Sequence, residues 1–224
     1  MSATAPAPLL SPPARRRPGW RLALGAGVAI WAAVVAGATV GMMRYASIPG
    51  EGGPPVAEWP AASRLRSGAG QPTLVVFMHP RCPCTRASLG ELEALLATAG
   101  GRAAVHVVLL KPAGTEPNWE KTALWQRASA LPGVNVFIDD DGVEVQRFGA
   151  TTSGLAVLFG RDGRRQFHGG LTLARGHAGD NPGRRTLAAL LQGSPAPRES
   201  APVFGCALCD GQLPAPDSRG ASNP

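Results

Sequence analysis

The sequence predicts a single α/β domain carried behind one apolar helix. Three observations lead there. Leu22 to Met43 contains no charged side chain. From Thr73 onward, strand-like and helix-like segments alternate and then close with a hairpin, the order of an α/β domain. A Cys-Pro-Cys triplet, Cys82-Pro83-Cys84, sits where the first strand gives way to the first long helix.

About 20 apolar residues span a bilayer as a helix, and the run from Leu22 to Met43 has that length. Arg15, Arg16, Arg17 and Arg21 precede it, and Arg44 alone follows closely. The excess of positive charge on the N-terminal side places that end in the cytoplasm. The expectation is a single-pass protein of a bacterial inner membrane with its C-terminal domain in the periplasm. A cleaved leader would carry a shorter apolar stretch and a small-residue cleavage site, and none follows Met43. Expected segments are a basic tail over 1–21, a transmembrane helix over 22–43, a stalk over 44–69, a domain over 70–193 and a flexible tail over 194–224. Pro49, Gly50, Gly52, Gly53, Pro54 and Pro55 forbid regular structure in the stalk.

Within the domain, Thr73–Met78 reads as a buried strand. Leu89, Leu92, Leu95 and Leu96 give residues 83–98 a helical stripe. Ala104–Leu110 is a second strand. Asn118 is expected to cap a helix running to about Ala130, stopped before Pro132. Val134–Ile138 is a third strand, followed by a helical turn through Phe148. Leu155–Gly160 is a fourth strand, and Arg161-Asp162-Gly163 turns it into Arg164–Phe167. Asp180-Asn181-Pro182 opens a last helix with Pro at its first position, and Gly193 ends it. Trp119 and Trp125 read as packing residues of the middle helix.

The formal charge of +7 and the pI near 10.2 come from arginines that are scattered through the chain. No basic stripe interleaved with aromatics is present, so nucleic acid is not an expected partner. The four cysteines form two close pairs, Cys82/Cys84 and Cys206/Cys209. Such pairs point to redox chemistry or metal ligation.

The segment from Val76 to Ser88 resembles the active-site segment of thioredoxin-like proteins, particularly the membrane-anchored TlpA/ResA kind. There, a strand ends and a cysteine motif opens a helix. Asp139-Asp140-Asp141-Gly142, Arg147-Phe148-Gly149 and Leu158-Phe159-Gly160-Arg161-Asp162-Gly163 extend the likeness over about residues 70–193, and a bacterial RedB-like group is similar too. The resemblance implies a thioredoxin-like fold and thiol–disulfide exchange with protein thiols or disulfides of an extracytoplasmic partner, without a cofactor. Aligned on Arg86-Ala87 and Glu91-Leu92, Cys82 falls on the family's attacking cysteine, Thr85 on its second cysteine and Cys84 on a proline. Gly154 replaces the family's cis-proline, and Gly90 replaces a helix-kinking proline.

The chemistry requires a thiolate, and a helix N-terminus favours one. Cys82 is therefore expected at the start of a helix, with Pro83 at the first helical position and Arg81 and Arg86 adding positive charge. Cys84 could resolve a mixed disulfide. Residues 194–205 form a linker long enough, about 20 Å on average, for Cys206 or Cys209 to reach Cys82. A tail disulfide without a role in exchange is the other reading of that pair. The rival function is copper or zinc delivery, with Cys82, Cys84 and His79 as ligands, joined by Cys206 and Cys209. His177 is only a possible further ligand. His106 reads as structural, and His168 has no evident role.

Overall fold

The computed structural model describes residues 19–208 and comprises two units, divided after Met43. The described residues of the first unit are helical. Helix α1 runs Gly19–Ser47, longer at both ends than the uncharged run, and extends into the second unit. Its 29 residues rise about 43 Å, more than the hydrocarbon core of a bilayer. The helix is thus long and apolar enough to cross a membrane. Arg15, Arg16 and Arg17 lie outside the described residues.

The second unit is built on one mixed six-stranded sheet. Its elements are β1 (Thr73–Met78), α2 (Thr85–Ala99), β2 (Ala104–Lys111), α3 (Ala123–Ser129), β3 (Val134–Asp140), α4 (Val143–Arg147), β4 (Leu155–Phe159), β5 (Arg165–Gly170), α5 (Pro182–Leu191) and β6 (Ser200–Ala201). The strand order is β3-β2-β1-β4-β5-β6. β1, β2 and β3 are parallel, β4 is antiparallel to both neighbours, and β6 pairs parallel with β5. β1 is central, and all six of its residues are buried, as expected of a strand covered on both faces.

Alternation along β1 divides the core in two. Leu74, Val76 and Met78 meet Leu89, Leu92 and Leu95 of α2 and Leu187 of α5. Val75 and Phe77 point the other way, toward Phe148, Val157 and Phe159. Glu91 ties α2 to the start of α5. Its buried carboxylate accepts from Asn181 Nδ2 at 3.1 Å and from Gly179 N, and pairs with Arg184 Nε at 3.0 Å. Asn181 caps α5 through its side chain, with Pro182 at the first position.

Two local expectations are corrected. Asn118 caps nothing, because its φ of 65° is left-handed; Thr122 caps α3, its hydroxyl accepting from Trp125 N. α2 begins at Thr85, with Cys84 in the capping position, so Cys82 and Pro83 lie in the turn before the helix. Thr85 N, Arg86 N and Ala87 N reach back to Cys82 O, Pro83 O and Cys84 O, the tight winding common at helix starts. α2 also passes Gly90 without a break.

The segments flanking the domain are packed against it. Residues 49–72 lack helix and strand, but they are no free tether. Trp59 stands edge-on to Phe148 and Phe159 at 5.3 and 5.2 Å, and Leu65 is buried. Residues 200–208 are likewise no free tail. β6 pairs with β5, and Val203, Phe204 and Leu208 are buried. Gly169 and Gly170 allow this, since a Cβ on either would meet the tail's backbone at 2.5 Å.

Candidate active site: a three-thiol cluster

Cys82, Cys84 and Cys206 meet at the C-terminal end of β1, beside the start of α2. None is bonded to another. Cys82 is almost fully buried, at 4% exposure, whereas Cys84 and Cys206 are partly open. Cys209 lies outside the described residues.

Burial alone pushes the Cys82 thiol up. Hydrogen bonds from the side chain and backbone N–H of Cys206, and from the hydroxyl and backbone N–H of Thr85, outweigh it and hold the thiol below its ordinary value. The donors come from segments far apart in the sequence, so the tail completes the site. Cys84 moves the other way: burial and the adjacent charge of Cys82 raise it, and Arg175 opposes them. Cys206 is pushed up to about 12, by burial first and then by its hydrogen bond to Cys82 and that sulfur's charge. One thiolate is therefore favoured among three thiols.

Thr85, placed where the resembled family has its second cysteine, is buried and bonded. Its Oγ1 lies 2.7 Å from Ser153 Oγ, and Ser153 Oγ accepts from His79 N at 2.9 Å. With Ser153 donating to Thr85, the Thr85 hydroxyl is free to donate to the Cys82 sulfur. Ser153 was not among the expected site residues. The one available signal was the small, polar Thr151-Thr152-Ser153-Gly154 stretch where a proline was expected. Gly154 has φ +94°, which proline's fixed φ near −65° cannot reach. A Cβ there would also stand 2.8 Å from Ser88 Oγ. Among the described residues no peptide bond is cis.

His79 adjoins the cluster without facing it as a free ligand. Its Nδ1 accepts from Arg81 N at 3.1 Å, and burial, then Arg81, keeps its pKa below the usual histidine value. The side chain of Arg81 is turned away, over the Trp119 ring at 4.7 Å with Nε 3.4 Å from Trp119 O. Trp119 thus holds an arginine rather than filling the core. His106 Nε2 is 2.8 Å from Arg66 O, His168 is buried on β5, and His177 is exposed. Among the described residues, no group of three His, Cys, Asp or Glu side chains is disposed to hold a metal.

The tail is held by backbone contacts. Ser153 N donates to Cys206 O and Leu208 N to Thr151 O, both at 2.8 Å, giving a short antiparallel pairing around Thr152 and Ala207. Arg175 donates to Gly205 O from the other side. Arg175 is itself fixed where α1 ends: its N donates to Ala46 O at 2.9 Å and its guanidinium lies 4.9 Å from the Tyr45 ring. A cleft of about 410 Å³ opens beside Cys82, lined by Pro80, Arg81, Pro83, Arg86, Thr122 and Leu124 among others.

No family model and no curated protein matches the sequence. Solved structures do match. A hypothetical protein of Sinorhizobium meliloti is 20% identical, with a TM-score of 0.55, over 68% of this chain and 93% of its own. An uncharacterized conserved protein of Geobacillus kaustophilus is 19% identical, with a TM-score of 0.53, over 72% of this chain and 92% of its own. A secreted Mycobacterium tuberculosis disulfide oxidoreductase is 16% identical, with a TM-score of 0.40, over 55% and 82%. The domain has a thioredoxin-like fold, with the parallel strands β1, β2 and β3 beside the antiparallel β4 and β5, and α2 and α5 together on one face of the sheet.

Proposed function

We infer that this chain is a membrane-anchored thiol–disulfide exchange protein, with Cys82 as the attacking thiol and its folded domain outside the cytoplasm. The observation that carries the reading is the environment of Cys82. A nearly buried sulfur receives donors from Thr85 and Cys206 that favour its thiolate, and two further thiols lie alongside. A thiolate is the species that attacks a disulfide, and a neighbouring thiol is what releases the resulting mixed disulfide. The placement of the cysteine turn between β1 and α2, and its resemblance to the TlpA/ResA kind, support the same chemistry. The arginines before α1 support an outward-facing domain. Metal delivery through Cys82, Cys84 and His79 has less support, since His79 Nδ1 already accepts from Arg81 N.

The test uses the full-length chain in detergent, reduced and then offered a protein disulfide such as that of insulin. Exchange that disappears in Cys82→Ser and persists in His79→Ala is expected. Equal exchange by Cys82→Ser and the unaltered chain would refute the assignment of Cys82.

A further inference from the structure

We propose that Cys206, delivered by the 200–208 strap, is the thiol that resolves a mixed disulfide on Cys82. This rests on the exchange reading above and names the second half of the reaction. A substrate disulfide is first attacked by the Cys82 thiolate. One substrate sulfur becomes bonded to Cys82, and the other leaves with the electron pair of the broken bond and takes up a proton. Cys206 then attacks the Cys82 sulfur. A Cys82–Cys206 bond forms, the bond from Cys82 to the substrate breaks, and the second substrate sulfur departs, taking the proton that Cys206 gives up. The two protein thiols are oxidised by two electrons and the substrate disulfide is reduced to two thiols. The same steps in reverse oxidise a substrate dithiol.

Three observations favour Cys206 over Cys84. First, Cys206 contacts the Cys82 sulfur through both its side chain and its backbone N–H, so it lies against the atom it must attack. Second, the strap is fixed on both sides of Cys206. β6 pairs with β5, Val203 and Phe204 are buried ahead of it, and the bonds at Ser153 and Thr151 hold Cys206 and Leu208. A thiol held so is presented at a far higher effective concentration than one on a flexible tether. Third, Cys84 touches Cys82 through its side chain alone, without the backbone N–H contact that Cys206 adds. A Cys82–Cys84 bond would close a small ring across Pro83, whereas the Cys82–Cys206 bond joins two segments that already touch.

The charges set an order of events. While Cys82 is a thiolate, its charge helps keep Cys206 protonated, so the resolving thiol stays dormant. Forming the mixed disulfide removes that charge. Arg175, which favours the ionised form of Cys206 and bonds the strap at Gly205 O, remains.

The experiment follows a chromogenic aromatic disulfide, dithiobis-nitrobenzoate, reacting with the reduced full-length chain in detergent. Each variant is prepared with and without Cys209→Ala. Mass spectrometry reads the adduct on Cys82, and absorbance reads release of the second thiolate. In Cys206→Ala and Cys206→Ser the Cys82 adduct is expected to accumulate, with release at least about tenfold slower, while Cys84→Ala slows release far less. Peptide mapping of the oxidised, unaltered chain needs no variant and should find Cys82 bonded to Cys206. Accumulation in Cys84→Ala or Cys209→Ala alone, or a Cys82–Cys84 bond in the oxidised chain, would overturn the proposal and leave the exchange reading intact. No adduct on Cys82 in any chain would instead overturn that reading, and this proposal with it.

Discussion

Replacing Gly205 by alanine should release the strap while leaving the domain folded. A Cβ at Gly205 would stand 1.9 Å from Ser153 O and 2.8 Å from Ser153 C. Both are backbone atoms, so no side chain can swing aside. Reaching even a tight contact of 3.0 Å requires the strap to move by about 1 Å. That carries the bond from Ser153 N to Cys206 O, now 2.8 Å, beyond hydrogen-bonding range, and the bond from Leu208 N to Thr151 O with it. Two backbone hydrogen bonds at about 1 kcal/mol each, with partial exposure of Leu208, come to about 3 kcal/mol. The docked strap should lose roughly a hundredfold in population. Hydrogen exchange read by mass spectrometry should show Ser153 and Leu208 losing protection by about that factor, with β1 and β4 unchanged. Formation of the Cys82–Cys206 bond should slow in parallel. Unchanged protection would refute the close approach, and loss of protection throughout the domain would refute a separately detachable strap.

Three further outcomes are expected. Thr85→Val keeps the shape but removes a donor to Cys82, so alkylation of Cys82 at neutral pH should slow roughly tenfold, the effect of a hydrogen bond to a charged group worth about 1.5 kcal/mol, and its pH midpoint should rise; an unchanged profile would remove Thr85 from the site. Glu91→Ala leaves Arg184 and Asn181 without their buried partner, and urea denaturation should show a loss of about 3 kcal/mol at constant slope. The Cys206 thiol sits at about 12 in the folded chain against 9.0 ordinarily, so the unfolded chain loses this proton first as pH rises. The stability tied to it is fully present below pH 9.0 and is lost as pH rises through about 12, and denaturation of the reduced chain should therefore show a steeper decline over that window than in Cys206→Ser.

What the sequence by itself determined was local. The uncharged run from Leu22 marks a membrane-length helix, and the α/β order of strands and helices is legible because burial on both faces makes β1 and β4 continuous apolar runs. The cap of α5 was visible as Asn181-Pro182, since a capping side chain acts within its own turn. The cap of α3 was misplaced to Asn118 because both Asn118 and Thr122 suit the role, and only the backbone around Pro80, whose carbonyl accepts from Thr122 Oγ1 at 3.0 Å, decides between them.

The candidate site was half legible. Cys82, Cys84 and Thr85 are neighbours in the chain, so their proximity to one another and to a helix start could be read directly. The environment that favours the Cys82 thiolate could not. The sequence pointed to a helix dipole and to Arg81 and Arg86, yet the donors that lower the thiol are Thr85 and Cys206, while Arg81 lies on Trp119. The Pro- and Gly-rich flanks read as free chain because composition reports only that a segment lacks its own regular structure. Whether it is ordered depends on surfaces supplied by distant residues. Trp59 finds Phe148 and Phe159, and Gly205 finds Ser153 O, only once the sheet has formed. Linker length put Cys206 and Cys209 equally within reach of Cys82; only the tertiary structure docks Cys206 there, because the backbone pairing at Thr151 and Ser153 that holds it joins segments with no local signal for each other.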